Sequence, residues 1–283
     1  MANRYWVRAS SGNANTTAAW ATSAGGSTGA SVPVGGDKAF FTGDVTTDCT
    51  WDITTEITGV ELGAAYSGTV TQSTAASFTY DLEVGTSASG NNGEWDADSS
   101  TLTVGRDTIV KATLTGGSAN HSFGSLTIAS GGTYIATSGT TKITGEAASG
   151  YCIQTTGTFT HNKGLVEIDA GARITEGQNG PYWDLLLSDP DTDFYTSETW
   201  EIYNNFDLVG DFDVQNNAHH ITVHGNMTIG DGSTTTRYMN ATAYTNNLTV
   251  GGTLHITNGA TADLGTHGTV NVGGIRNTGG SIS

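Results

Sequence analysis

Near its end the chain reads Met227-Thr228-Ile229-Gly230, Leu248-Thr249-Val250-Gly251 and Val270-Asn271-Val272-Gly273, and these three segments decide its fold. In each segment a polar residue lies between two apolar residues, and a glycine follows. This alternation places the two apolar side chains on one face of a β-strand. The glycine permits a sharp change of direction directly after the strand. The segments begin 21 and 22 residues apart, so a strand and a corner recur at a nearly fixed period.

The same pattern recurs upstream. Earlier copies begin at Val60, Leu82, Leu102, Leu126, Val166, Leu185 and Phe206. The 210 residues from Val60 to Val270 correspond to ten periods of 21, if the 40-residue interval after Leu126 counts as two. One coil in that interval is therefore disguised. Its strand lies near Lys142-Ile143-Thr144 or near Tyr151-Cys152-Ile153, and the sequence does not decide between them.

A strand of three or four residues cannot bury its apolar face alone, whereas similar strands stacked in register bury it as a continuous column. Each period also contains a second short strand pattern, as in Gly252-Thr253-Leu254-His255-Ile256. We therefore predict an all-β protein, a right-handed parallel β-solenoid (β-helix) with about 21 residues per coil. An antiparallel sandwich also has short, regularly spaced strands, but it predicts no fixed 21-residue phase.

Residues 1–55 do not match the repeat, and they contain Trp6, Trp20 and Trp51. A solenoid needs a cap that shields the apolar face and the unpaired edge of its terminal coil. We predict that 1–55 form an N-terminal β cap or attachment module and that 56–283 form the solenoid. The tryptophans are predicted to pack over the first coil, and the alternative is that they form an aromatic binding platform.

Aromatic and acidic residues interrupt the repeat at 181–206. The aromatic residues of this segment are Tyr182, Trp183, Phe194, Tyr195, Trp200 and Tyr203. One interpretation is a lateral loop that folds onto the coil. The other is a contact surface for a neighbouring subunit or a receptor, because aromatic residues are enriched in the cores of interfaces. Together with Trp6 and Trp20, these residues are the candidate binding residues of the chain.

An acidic turn within this segment suggests a cation site. Asp189, Asp191 and Asp193 have the spacing of the first half of a calcium-binding loop. The match then fails, because Phe194 and Trp200 stand where that loop needs Gly and Glu. The three aspartates are thus a weak calcium candidate, and we predict no metal and no cofactor.

Other polar residues offer little catalytic chemistry. Asp211 and Asp213 share one strand face roughly 7 Å apart, which overlaps the carboxylate separation of glycosidases. No base or aromatic groove accompanies them in the sequence. His220 and His224 are ~13 Å apart along a strand, too far to bind one ion within one chain. We therefore predict a non-enzymatic protein, with a polysaccharide depolymerase as a further alternative.

Composition excludes several partners. Asp and Glu number 27 against 10 Lys and Arg, for a net charge of −17, whereas nucleic-acid binding needs a basic face. We expect neither nucleic acid nor a membrane as partner, because the chain also lacks a signal-peptide apolar region and a membrane-length apolar run. In the predicted fold Cys49 and Cys152 lie roughly 20 Å apart, beyond the ~7 Å limit for a disulfide. Two free thiols are predicted, consistent with synthesis and assembly in a reducing cytosol.

The opening of the chain carries a family resemblance. It reads Asn3-Arg4-Tyr5-Trp6-Val7, then Ala19-Trp20, then Ala30-Ser31-Val32-Pro33, with Asp37 shortly before Phe40-Phe41. This resembles the start of virion structural proteins of marine tailed bacteriophages, in which β-helical repeats follow a Tyr-Trp module. The sequence departs from that family at Arg8-Ala9-Ser10-Ser11, where a glycine-rich stretch is more typical.

The resemblance implies a component of the virion without saying which one. We expect a structural protein of the particle surface, most simply a capsid decoration (head-binding or cement) protein that contacts the major capsid protein. The alternative is a tail fibre or tailspike subunit that binds host surface glycans. In either case a homo-oligomer is expected, with a trimer favoured, because the uncovered last coil would leave an open strand edge.

Overall fold

The structure, a computed structural model, describes residues 2–63, 65–86, 93–171, 173–174, 181–189, 192–194, 199–209, 212–214, 220–232, 237–240, 247–264 and 268–282. About half of the residues are in strands, and the described residues contain one short 3-10 helix, Thr17–Ala19, but no α-helix. The strands stack as parallel coils, with about nine turns spaced by about 21 residues. The predicted β-solenoid is therefore confirmed. Within the described ranges no helix is long and apolar enough to span a membrane.

The strands are short and follow one another closely along the chain. The first are β1 (Asn3–Trp6), β2 (Gly12–Asn13), β3 (Trp20–Ala21), β4 (Lys38–Phe41), β5 (Cys49–Trp51), β6 (Gly59–Leu62), β7 (Thr69–Gln72), β8 (Ala76–Phe78), β9 (Leu82–Val84), β10 (Glu94–Asp96), β11 (Leu102–Val110), β12 (Thr113–Thr115), β13 (His121–Ile128) and β14 (Thr133–Ile135). Next come β15 (Thr140–Ile143), β16 (Tyr151–Thr155), β17 (Thr158–Thr160), β18 (Leu165–Ile168), β19 (Arg173–Ile174), β20 (Asp184–Leu187), β21 (Thr192–Phe194), β22 (Thr199–Ile202), β23 (Phe206–Leu208) and β24 (Phe212–Val214). The last are β25 (His220–Val223), β26 (Met227–Ile229), β27 (Arg237–Asn240), β28 (Asn247–Ile256), β29 (Thr261–Asp263), β30 (Val270–Asn277) and β31 (Ser281–Ile282).

The first compact unit comprises Met1–Gly139 and Thr156–Phe159. Its coils contribute strands to three parallel ladders. One ladder runs β1–β4–β6–β9 and continues into the second halves of β11 and β13. Another contains β8 and the first halves of β11 and β13. The remaining ladder is a separate sheet with the order β2–β5–β7–β10–β12–β14.

The second compact unit comprises Thr140–Thr155 and Thr160–Ser283. It also has three parallel ladders. The first runs β15–β18–β20–β23–β26 and ends in the second halves of β28 and β30. The second runs β16–β19–β21–β24–β27–β29–β31. The third runs β22–β25 and ends in the first halves of β28 and β30.

Apolar side chains that point inward form columns along these ladders. In the second unit Val166, Leu185, Phe206, Met227 and Leu254 follow one another in register, and each is at most 2% exposed. Full burial of one such side chain is worth about 1.5–3 kcal/mol. No single strand could hide these faces alone, so the stacking is the source of the stability of each coil.

The 21-residue series does not form one column. Leu102 does not stack on Leu82, which pairs instead with Thr108. Leu248 and Val270 pair with each other, but they belong to the ladder of β22 rather than to that of β26. The cause is that coils differ in length, so the same apolar–polar–apolar motif falls on different faces in different coils.

The disguised coil is now assigned. Both candidate segments are strands, since β15 contains Ile143 and β16 contains Cys152. β15 precedes β18 in the same ladder, with Thr141 in register with Val166. Thr141 is 1% exposed, so a threonine occupies a position that is aliphatic in the neighbouring coils. Because of this threonine, the apolar–polar–apolar pattern is lost from the sequence, although the strand still forms.

Stacking begins inside the predicted cap. β1 pairs in parallel with β4, and β4 pairs with β6, so the hydrogen bonding shows no boundary after residue 55. β3 runs antiparallel to β1 and covers its free edge, which is the shielding that a terminal coil needs. Trp6 and Trp20 are completely buried, and their rings lie 5.7 and 5.8 Å from that of Phe41.

The last coil is open by comparison. In β30 and β31 the side chains of Val270, Ile275 and Ile282 are 37%, 57% and 43% exposed. Equivalent positions in the preceding coils are buried by the next strand of the ladder. Among the described residues, none covers this edge.

The two cysteines, Cys49 and Cys152, are free and buried, as predicted. Burial raises the pKa of the Cys49 thiol well above its usual value and that of Cys152 to about 12. Both thiols therefore stay protonated at neutral pH, and a protonated thiol is a poor nucleophile.

Candidate binding surface on one corner of the coils

An aromatic column occupies one corner of the second unit. In the segments that lead into β18, β20, β23 and β26, successive coils place His161, Trp183, Tyr203 and His224 at the same corner. We call these four residues the aromatic column. His161 and Trp183 are partly exposed, Tyr203 is 40% exposed, and His224 is exposed. These rings therefore lie on the outside of the coil and not in its core.

The rings of the column contact one another. The centroid of His161 lies 5.6 Å from that of Trp183 and 5.3 Å from that of Tyr203. Tyr203 and His224 are stacked, with centroids 5.3 Å apart and an interplanar angle of 13°. Aromatic pairs at such distances contribute about 0.5–1.5 kcal/mol each beyond their burial. The column is therefore an ordered surface feature and not a set of independent side chains.

Charged groups flank the column at both ends. The Lys163 ammonium lies 5.5 Å from the ring centroid of Trp183, a distance at which a cation is attracted to the ring face. At the other end, His224 Nε2 lies 3.0 Å from a carboxylate oxygen of Glu201. This contact fixes the orientation of the imidazole and so holds its ring face in place.

A ladder of amide hydrogen bonds supports the same corner from below. Asp184 Oδ1 accepts hydrogen bonds from Asn204 Nδ2 and from the backbone N–H of Asn205, both at 2.9 Å. Asn205 Oδ1 accepts from the backbone N–H of Asn226 at 3.4 Å, and Asn226 Oδ1 accepts from that of Thr253 at 2.9 Å. Each side chain thus satisfies a donor of the next coil, and these hydrogen bonds link the corners that carry the column.

Four of the predicted binding residues are core residues. Trp6 and Trp20 are fully buried, and Tyr182 and Trp200 are each 1% exposed. The rings of Tyr182 and Trp200 stack on each other at 5.7 Å. Their inward direction follows from strand alternation, which the interruption of the repeat concealed. A partner molecule cannot reach these four side chains on the folded surface.

The other predicted aromatic residues divide into two groups. Trp183 and Tyr203 reach the surface and belong to the aromatic column. For Phe194 the structure describes only the backbone, in β21, and Tyr195 lies outside the described residues. The column thus retains two of the predicted residues and adds two histidines.

The acidic candidates remain untested predictions. Of the proposed calcium ligands, Asp189 is described and partly exposed, Asp193 is described only as backbone, and Asp191 lies outside the described residues. The predicted pair of Asp211 and Asp213 is likewise untested. Asp211 lies outside the described residues, and Asp213 is described only as backbone in β24. In the ranges that the structure describes, no three His, Cys, Asp or Glu side chains converge on a possible metal site.

One carboxyl near the corner has a shifted pKa. Burial raises the pKa of Asp207, and the negative charge of Asp184 raises it further, while a hydrogen bond with Thr228 lowers it. Asp184 accepts hydrogen bonds from Asn204 and Asn205, and Asp207 shares a hydrogen bond with Thr228. Both carboxyl groups therefore have structural partners.

Sequence reasoning missed His161 and Lys163, and it considered His224 only as a metal ligand. A signal for the column is nevertheless present in the sequence. His161, Trp183, Tyr203 and His224 are separated by 22, 20 and 21 residues, which is the period of the coils. An aromatic ring at a constant phase of the repeat predicts a column, whereas a search for aromatic clusters along the chain does not.

A shallow cavity of about 160 Å³ lies in the first unit beside Tyr80, which is 43% exposed. Its lining residues include Lys38 and Asp81. Lys38 is paired with Glu61 at 2.9 Å, so its charge is already matched. Tyr80 is thus an exposed aromatic residue in the first unit, outside the aromatic column.

Comparison with known proteins supplies no identity for this chain. No protein-family model, no curated protein and no solved structure matches it. Function is therefore argued from the fold and from the aromatic column.

Proposed function

We propose that the chain is a non-enzymatic structural protein of a tailed-phage particle, in the first place a capsid decoration protein that contacts the major capsid protein. The observation that carries the proposal is the stacked coil itself. Three parallel ladders per unit and an apolar interior make a stiff scaffold. Such a scaffold presents residues at fixed intervals on its surface, which suits a protein whose task is to extend and cover a particle.

The charge of the chain agrees with an external position. A net charge of −17 repels packaged nucleic acid and keeps the assembled surface soluble. The resemblance of the opening residues to phage structural proteins supports the same setting. On this proposal the protein is assembled in the host cytoplasm and resides in the virion.

The second candidate is a tail fibre or tailspike subunit that binds host glycans. The exposed aromatic column favours it, because surface rings are a common means of contacting another molecule. A homotrimer is proposed for either role.

The test is to locate the protein on purified particles with a labelled antibody and electron microscopy. Label over the capsid supports the decoration protein, and label on the tail supports the fibre. Absence of the protein from purified particles contradicts both. An accompanying assay for reducing ends after incubation with host polysaccharide tests the non-enzymatic part, and sustained release of sugar would overturn it.

A further inference from the structure

We infer that the aromatic column binds a neutral glycan, with a sugar ring stacked on the open face of His224. For its biological setting the inference rests on the second candidate function. The site itself is argued from the geometry of the corner.

His224 is the last ring of the column and has one face uncovered by the coil. One face of its imidazole stacks on Tyr203. In the next coil Val250 is in register with Val223, so the corner position that follows His224 is Gly251, which has no side chain. The His224 side chain is 47% exposed, and the opposite ring face therefore looks over a glycine.

This opening is built into the fold. A Cβ atom on Gly251 would lie 2.5 Å from the carbonyl oxygen of His224, and one on Gly252 would lie 2.7 Å from the carbonyl oxygen of Gly225. Both distances are shorter than real contacts. A side chain cannot be accommodated here without moving the corner, so the coil that follows His224 keeps the ring face free.

The surroundings of the ring face match the chemistry of a sugar. A pyranose presents a face of C–H groups and a rim of hydroxyls, and binding sites for such ligands combine apolar contact with a few placed polar groups. Here the ring faces of Tyr203 and His224 supply the apolar contact. The Glu201 carboxylate, which contacts His224 Nε2, can accept hydrogen bonds from sugar hydroxyls.

Charge and size select a neutral glycan among the possible occupants. A polyanionic polysaccharide would be repelled by a chain with a net charge of −17. A protein partner needs an interface of about 1,000 Å² or more, whereas the column is one corner wide. A linear oligosaccharide that follows the corner from coil to coil needs no such area.

The experiment measures binding of cellohexaose, maltohexaose and chitohexaose to the full chain by calorimetry. We expect one of them to bind with a dissociation constant of about 1 mM or lower. Tyr203→Ala and His224→Ala are each expected to weaken binding about tenfold, which is the loss of one good contact. His224→Phe keeps a ring face and is expected to bind within about threefold of the unchanged chain.

Tyr80→Ala is the matched control, because Tyr80 is 43% and Tyr203 40% exposed, but Tyr80 lies in the other unit. It should leave binding unchanged. As a measurement that needs no variant, the imidazole NMR signals of the unchanged chain should shift on addition of the bound sugar.

Four results would overturn the inference, and the first three concern the sugars. They are no saturable binding of any of the three sugars, equal loss of binding in Tyr80→Ala and Tyr203→Ala, or sugar binding without any shift of an imidazole signal. Capture of an aromatic peptide in place of all three sugars would also overturn it. None of these results would touch the particle assignment, which antibody labelling tests separately.

Discussion

At the scale of single residues, the core accommodates polar side chains where the repeat predicts aliphatic ones. Thr141 is one case, and His121 in β13 is another, 2% exposed and in contact with the ring of Phe123. Burial lowers the pKa of His121 from 6.5 to about 4. The folded protein therefore keeps this histidine neutral where an unfolded chain would protonate it.

This shift predicts a loss of stability in acid. Above pH 6.5 His121 is neutral in both states and contributes no pH dependence. Below it only the unfolded chain gains a proton, so stability falls until the pH reaches about 4, by about 3 kcal/mol in total. Chemical denaturation between pH 4 and 7 measures it. His121→Phe should remove most of the slope of the unfolding free energy against pH. The control His255→Phe, at a partly exposed histidine, should keep that slope. An unchanged slope in His121→Phe would show that carboxylates alone are responsible.

At the scale of elements, the lengths of the corners determine the face of the coil on which each strand lies. The strand-and-glycine motif is visible in the sequence. Gly85 and Gly230 have positive φ angles of +80° and +86°, whereas Gly63, Gly105, Gly251 and Gly273 at the same place in the motif do not. The assignment of each strand to a face was not predictable, because it depends on how many residues each corner contains. The buried directions of Tyr182 and Trp200 were missed for the same reason. The aromatic column could have been found from its period of about 21 residues, had aromatic residues been compared between coils.

The amide ladder predicts that corners contribute to stability. Asn205→Ala and Asn226→Ala each remove a hydrogen bond to a backbone N–H of the next coil, at a cost of about 0.5–1.5 kcal/mol. Thermal and urea unfolding measure the change. Asn15→Ala, at an exposed asparagine of the first unit, should change stability by less than about 0.5 kcal/mol. Equal effects at all three positions would mean that the ladder contributes no specific stabilisation.

At the scale of the whole molecule, the central claim is that coils stack in parallel in a defined register. That register brings the aromatic column together and decides which residues are exposed. The chain contains two units with the same construction, three parallel ladders each. The observed register departs from a fixed 21-residue period at several places, and one of them lies at Thr228 in β26. In the structure Thr228 is opposite His255, whereas a strict period places Thr228 beside Thr249.

The most direct measurement is therefore disulfide formation between introduced cysteines. Adjacent parallel strands lie about 4.8 Å apart, within the range that a disulfide can bridge. The double variant Thr228→Cys with His255→Cys should oxidise rapidly to an intramolecular disulfide, detected by mass spectrometry, while Thr228→Cys with Thr249→Cys should remain reduced under the same conditions. Rapid bridging in the second variant and none in the first would contradict the stacking on which the account depends.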